Sequence, residues 1–206
     1  MSYEQYLDLD LNTLSGVSVY QLDAVLNGTS LQGLGSAFVN AENKYHMHAV
    51  YLLAHAIHES DFGRSQIARD KYNLFGFMAY DSNPYASAKK FESFEQCIDY
   101  CAGYIKRQYL TKGGKWYEGP TLRGMNVHYA TDKQWAVKIA RWMDQIYKAL
   151  PEQLDYVGHW AEEAIKQALE LGIAHGYPDG LFKPEQPLTR AEGVSMIMNL
   201  YKLLKG

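Results

Sequence analysis

From Ala49 the chain runs Ala-Val-Tyr-Leu-Leu-Ala-His-Ala-Ile-His without a helix breaker, with apolar side chains at 49, 50, 52, 53, 56 and 57. Apolar positions this dense at helical spacing predict a helix buried on most sides. It delivers one carboxylate, Glu59, at its last turn, where Gly63 is placed to end it. Ser18-Val-Tyr-Gln21 reads as a capping box opening a short helix that stops at Asn27-Gly28, after an irregular lead-in over 1–17. A further helix is predicted from about Ser36 to Tyr45, and His46-Met-His48 marks a bend before the central helix. Ser93-Phe-Glu-Gln96 opens a helix to about Tyr109, and Thr131-Asp-Lys-Gln134 opens one that runs to Leu150 before Pro151.

Between these helices, Lys71 to Asp81 is rich in aromatic and small residues and has no helical period, as a cleft wall would. Asp81-Ser-Asn-Pro84 has the composition of a turn, and Lys112-Gly-Gly-Lys115 that of a loop presenting Trp116 and Tyr117. Past about Asp155 the texture changes. Trp160 to Leu171 is amphipathic and closed by Gly172, and a turn rich in Gly and Pro follows. Thr189-Arg-Ala-Glu192 then caps a last helix whose Val194, Ile197, Met198 and Tyr201 are expected to face inward. The chain is therefore expected to be mainly α (α+β at most), with one unit over 1–152 and a small helix–loop–helix unit over 153–206. A unit so small buries little core by itself.

Composition narrows the function classes. The chain has 206 residues, 47% hydrophobic and 21% charged, the profile of a globular protein. Its net charge of −3 argues against nucleic acid as a partner, and no apolar run reaches bilayer length, so no membrane partner is expected. The first residues lack a basic segment followed by an apolar one, so no signal peptide is expected and release by some other route is implied. Cys97 and Cys101 lie four apart on one helix, as packed thiols rather than a disulfide. The 17 tyrosines supply aromatic faces that suit either a core or the C–H faces of sugars.

The chemistry centres on Glu59. A carboxylate at a helix C-terminus beside apolar neighbours is expected to have a raised pKa and to serve as a proton donor. The same residues also fit a solvated glutamate at a frayed helix end. His46, His48, His55 and His58 surround this region, but His55-x-x-His58-Glu59 lacks the order and spacing of a zinc-binding His-Glu-x-x-His helix. No metal and no cofactor is expected. His55, four residues before Glu59, is placed to pack beside the carboxylate and orient it.

Residues 155–206, through His159-Trp-Ala-Glu-Glu-Ala-Ile, Gly172-Ile, Gly176-Tyr-Pro-Asp-Gly-x-Phe-Lys-Pro184 and Leu188-Thr-Arg-Ala-Glu192, resemble a single S-layer homology domain. The resemblance implies anchoring to a pyruvylated secondary cell-wall polysaccharide, with Arg190 on the acidic ketal and Trp160 and Asp179 in the same site. An Arg in a first helical turn, beside free N–H groups, suits a carboxylate chemically. It also implies assembly: three such repeats usually pack about a threefold axis, so a chain with one repeat is expected to form a homotrimer or to fold the repeat back on its own first unit.

Residues from about 20 to 150 resemble the glucosaminidases of glycoside hydrolase family 73, through Ala54-His-Ala-x-x-Glu-Ser-x-Phe-Gly63, Tyr72-Asn-Leu-Phe-Gly-Phe, Ala79-Tyr-Asp-Ser-Asn-Pro84 and His128-Tyr-Ala-Thr-Asp132. The resemblance implies a lysozyme-like helical fold that cuts peptidoglycan glycan strands after N-acetylglucosamine, with Glu59 as general acid and Tyr129 in the cleft. It places His55, Asn73, Phe75, Tyr80 and Trp116 on the substrate. Two departures stand out: Ser60-Asp-Phe-Gly where relatives have other residues, and His46 where a glycine is common, which implies local strain.

The second catalytic group stays open. Asp81, Glu92, Glu95 and Asp132 are candidates, with Asp132 expected at the first position of its helix. Alternatively the substrate's own N-acetyl group attacks the anomeric carbon with Tyr129 assisting. A lytic transglycosylase, a muramidase and a non-catalytic wall-binding protein are the rival readings. A wall hydrolase with an anchor and no leader looks like a phage endolysin or an autolysin.

Overall fold

The computed structural model describes residues 2–78, 83–151, 154–177 and 181–205. Tyr80, Asp81 and Asp179 lie outside the described residues. The chain divides into two compact units, Met1–Leu150 and Pro151–Gly206, and the described residues contain helices and no strand.

The first unit holds α1 (Val19–Leu26), α2 (Gly35–Tyr45), α3 (Ala49–Ser60), α4 (Gln66–Lys71), α5 (Pro84–Ser87), α6 (Phe94–Ile105), α7 (Leu122–Asn126) and α8 (Trp135–Ala149). A 3-10 turn over Tyr3–Tyr6 precedes them, and a π-turn over Lys106–Leu110 extends α6. The lead-in is better ordered than its sequence implies. Leu7, Leu11 and Val17 are buried in the core, and the Leu11 carbonyl accepts the N–H of His48 at 2.9 Å.

The central helix α3 is buried from Ala49 to Ile57, as its apolar density requires. Histidine caps it: His48 Nδ1 accepts the Tyr51 N–H, where Ser or Asp ordinarily does this. Its C-terminus is set by Asp61 rather than by Gly63. Asp61 and Phe62 both take left-handed backbone angles, φ 51° and 54°, immediately after the Glu59 turn. Non-glycine residues adopt that region at a cost of roughly 1–2 kcal/mol each, so the corner behind Glu59 is strained. Ser60 holds it, donating to the Ala56 carbonyl at 2.6 Å and accepting the Gly63 N–H at 2.8 Å. His46, with φ 47°, carries the strain implied by a histidine at a glycine position.

Helix α8 packs antiparallel along α3. Its N-terminal Trp135 meets Glu59 at the C-terminus of α3, and its Tyr147 meets His48 at the other end. The expected capping box at Thr131 does not form. Asn126 of α7 does that work from a distance: its Oδ1 accepts the Ala136 N–H at 3.0 Å and its Nδ2 donates to the Asp132 carbonyl at 3.0 Å. Asp132 therefore sits in the turn before α8 and not on its first turn.

The π-turn also has a structural consequence. At its end the Gln108 carbonyl, one of the last in the helix and so without an intrahelical partner, accepts the Trp116 N–H at 2.9 Å, which seats Trp116 against the core. Gly114 allows this, because a Cβ there would lie 2.4 Å from the Arg107 carbonyl oxygen. Cys97 and Cys101 are buried free thiols on α6.

The second unit holds α9 (Glu162–Glu170) and α10 (Arg190–Lys205). The capping box of α10 forms in full: Thr189 Oγ1 accepts the Glu192 N–H at 3.2 Å, and Glu192 Oε2 accepts the Thr189 N–H at 2.8 Å. Its apolar stripe does not face inward. Val194, Ile197, Met198 and Tyr201 are all exposed, and α10 buries no side chain. The physical reason is the shortage of partner surface, since among the described residues of this unit only Tyr156, Ile165 and Ala174 are buried apolar.

Candidate active site

Glu59 stands where α3, α7 and α8 converge. Its side chain is 27% exposed, while His55, one turn earlier on the same face, is wholly buried. The Trp135 indole Nε1 donates to Glu59 Oε1 at 3.0 Å. His55 Nε2 lies 3.6 Å from the same oxygen, beyond hydrogen-bond length, and has no other partner. His55 is boxed in by the rings of Phe75, Tyr129 and Trp135 with centroids 5.2, 4.7 and 5.2 Å away, all edge-on. Tyr129 in turn stacks on Trp135 at 4.7 Å. The turn that follows α7 brings Tyr129 there, its N–H donating to the Met125 carbonyl.

The electrostatics reverse one expectation. Burial is the largest single influence on Glu59 and raises its pKa. The His55 imidazole, the Trp135 N–H and His58 all favour the carboxylate, and together they hold Glu59 below the ordinary glutamate value. The helix-end argument misses these because they come mainly from side-chain donors, Trp135 among them on a distant segment. Tyr129 is pushed well above the usual tyrosine range, first by burial and then by the Glu59 charge, so its hydroxyl is a neutral donor. His58 is lowered, first by burial, with Lys138 adding to it against Glu59 and Asp132.

Several residues expected on the substrate are placed behind the site instead. Asn73 is buried, and its carboxamide is committed to its own loop: Nδ2 donates to the Phe77 and Lys89 carbonyls and Oδ1 accepts the Phe75 and Phe77 N–H groups. Phe75 is buried against His55, and His55 itself has no exposed surface. These three shape the wall and leave no face for a sugar. Trp116 is half-buried, 5.4 Å from the His128 ring, and keeps an open side. Asp132 is exposed and already engaged, with Lys138 Nζ at 2.7 Å and the Gln134 N–H at 2.9 Å, and the lysine lowers its pKa. Trp135 escapes the sequence reading. The only hint is its place just after the His128-Tyr-Ala-Thr-Asp132 stretch, and an aromatic there reads as core.

Among the described residues no group of three His, Cys, Asp or Glu side chains could hold a metal. No helix among them is long and apolar enough to cross a membrane. In the second unit, Arg190 is exposed at the start of α10 and makes no ion pair among the described residues, and Trp160 is 89% exposed.

Comparison with known proteins shows the family. The profile of the family described as mannosyl-glycoprotein endo-beta-N-acetylglucosaminidase matches residues 35–148, and that of the S-layer homology domain matches residues 154–192. A putative endo-beta-N-acetylglucosaminidase of Streptococcus pneumoniae is 41% identical over 150 residues, which is 70% of this chain and 23% of that protein. The chain thus spans about a quarter of the length of that relative. The crystal structure of S. aureus Autolysin E superposes with a TM-score of 0.58 at 27% identity, covering 72% of this chain and 73% of that one. A catalytic mutant of the same autolysin, in complex with the disaccharide NAG-NAM, superposes equally well, with a TM-score of 0.58 at 28% identity over 69% of this chain and 72% of that one. The mainly helical first unit is therefore lysozyme-like in the manner of the autolysins, and the chain belongs to the glucosaminidase family, with an S-layer homology domain following it.

Proposed function

We propose that the chain is an endo-β-N-acetylglucosaminidase that cuts the β-1,4 bond after N-acetylglucosamine in peptidoglycan, with Glu59 as its general acid. The observation that carries this reading is one carboxylate at the end of a buried helix, held by an indole N–H on one side and open on the other. The glycan bound by the related autolysin mutant supports a substrate of this class.

Glu59 gives its proton to the glycosidic oxygen as the bond to the anomeric carbon breaks. The oxygen of the substrate's N-acetyl group closes on that carbon and forms an oxazolinium ion. Water then adds there and returns a proton to Glu59, so that one water is consumed per bond cut. The neutral Tyr129 hydroxyl serves as the donor that orients the acetamido group. A water activated by Asp132 is the weaker alternative, because that carboxylate is occupied by Lys138. Glu59 begins below the ordinary glutamate pKa, so the glycan must raise it by displacing water from its exposed face.

The second unit anchors the enzyme to the wall, with Arg190 on the carboxylate of a pyruvylated polysaccharide and Trp160 alongside. Three copies associate through the exposed stripe of α10, which supplies from three chains what repeated units supply from one.

Digestion of peptidoglycan followed by borohydride reduction tests the activity. Reduced glucosamine is expected. Reduced muramic acid would mean a muramidase, anhydro ends a transglycosylase, and unchanged glycan a binding protein.

A further inference from the structure

Trp135 and His55 address the same oxygen of Glu59. Trp135 donates to Oε1 at 3.0 Å, and His55 Nε2 points at Oε1 from 3.6 Å. His55 Nδ1 lies 3.2 Å from the Tyr51 hydroxyl. The Tyr51 hydroxyl also lies 3.2 Å from Met125 Sδ, so Tyr51 holds the far side of the His55 ring. Among the described residues nothing donates to Oε2.

We infer that Trp135 is the positioning residue of the acid: with His55 behind it, its N–H fixes Oε1 and leaves Oε2 as the oxygen that gives and takes the proton at the glycosidic bond. The inference rests on the reading of Glu59 as general acid. A carboxyl whose Oε1 already accepts a hydrogen bond places its own proton on the other oxygen, because a donor at Oε1 favours the carbonyl-like form of that atom. The indole is itself immobile. It is 2% exposed, stacked on Tyr129, and stands at the first residue of α8, whose start is pinned by Asn126. One side chain therefore sets both the direction of the Glu59 carboxyl and the seat of Tyr129.

Trp135→Phe keeps an aromatic ring and removes the N–H. The readout is the pH profile of kcat/KM on soluble glycan fragments, measured beside the melting temperature. Loss of a donor to the carboxylate raises the Glu59 pKa, so the basic limb is expected to move up by about one pH unit. The low-pH plateau of kcat is expected to fall by about tenfold, because the proton-bearing oxygen is no longer held. A fall in rate with an unmoved limb would make Trp135 a packing residue only and overturn the inference. If Trp135→Phe does not fold, replacement of Trp135 by benzothienylalanine, which keeps the indole shape without the N–H, gives the same reading. Glu59→Gln is run alongside. If it retains wild-type activity the acid is misassigned, whereas an inactive Glu59→Gln with an unmoved limb in the Trp135 variant sinks only this inference.

Discussion

Tyr147 Oη lies 3.1 Å from His48 Nε2, closing one end of the antiparallel α3–α8 pair whose other end is closed by Trp135 on Glu59. His48 works only as the neutral ring, because its Nδ1 must accept the Tyr51 N–H that begins α3. Burial lowers its pKa to about 4, against a smaller upward pull from Glu42. The folded value lies below the unfolded one of about 6.5, so the unfolded chain binds a proton first as the pH falls. The His48 contribution is complete above about pH 6.5 and is lost progressively down to about pH 4, amounting to about 3 kcal/mol over that window. Urea midpoints measured across the window should show this decline, and His48→Asn, which keeps a capping oxygen and does not titrate, should flatten it. A wild-type midpoint that stays level would refute the assignment.

Glu42 supports the same helix from the other side. Its Oε1 accepts the N–H of Ala49 at 2.8 Å and that of Ser15 at 2.6 Å, in a buried position facing the positive end of α3. Glu42→Ala leaves two N–H groups without their acceptor and is expected to destabilise the fold by about 3 kcal/mol. Glu42→Gln keeps an acceptor oxygen and should cost only about 1 kcal/mol, the loss of charge at the helix end. Equal losses for the two variants in chemical denaturation would contradict this account.

Much of this architecture is legible in the sequence where one segment decides it. The apolar density of 49–57 fixes α3, and the boxes at Ser18 and Thr189 form as their spacing implies, because a capping box is closed by residues three apart. What stays hidden depends on segments meeting in space. The start of α8 is set by Asn126, not by Thr131, and the Glu59 pKa falls rather than rises because the His55 imidazole outweighs the helix end, with Trp135 adding to it from another helix. The roles of Asn73 and Phe75 stay hidden for a related reason. A motif marks residues the site needs, without separating those that touch a ligand from those that hold the wall.

Glu59→Gln should remove at least about a hundredfold of the hydrolytic rate while leaving binding to cell walls intact, since it deletes the proton and keeps the shape. The wild-type pH dependence gives a finer check. A general acid is lost as the pH rises through its pKa. The kcat/KM profile reports the free enzyme, in which Glu59 lies below the ordinary value, and the kcat profile reports the glycan-bound enzyme, in which lost water raises it. The basic limb of kcat is therefore expected at higher pH than that of kcat/KM. Coincident limbs would mean that the glycan does not shift the acid.

Arg190→Ala should weaken binding to walls that carry pyruvylated polymer and leave activity on soluble fragments unchanged. Its guanidinium is exposed and makes no ion pair among the described residues, so it is available to a carboxylate, and losing a charge-assisted pair of this kind costs about tenfold or more in affinity. Preserved discrimination between pyruvylated and depyruvylated walls would rule out the role.

Helix α10 sets the last expectation. Sixteen residues from Arg190 to Lys205 bury no side chain, although Val194, Ile197, Tyr201 and Leu204 are 61%, 67%, 46% and 78% exposed along it. An isolated helix of this length is marginal in water, and each Å² of apolar surface left wet forgoes about 25 cal/mol. The stripe is a continuous row at helical spacing, which suits self-association about a closed symmetry axis, and each added copy also brings another Arg190 to a repetitive polymer. Light scattering on the purified chain is expected to give about three times the 23.5 kDa of one copy. Ile197→Glu, which places a charge in the row, should return the mass to that of a single chain while sparing activity on soluble fragments. A wild-type mass that stays at one copy at every working concentration would show that the trimer does not form.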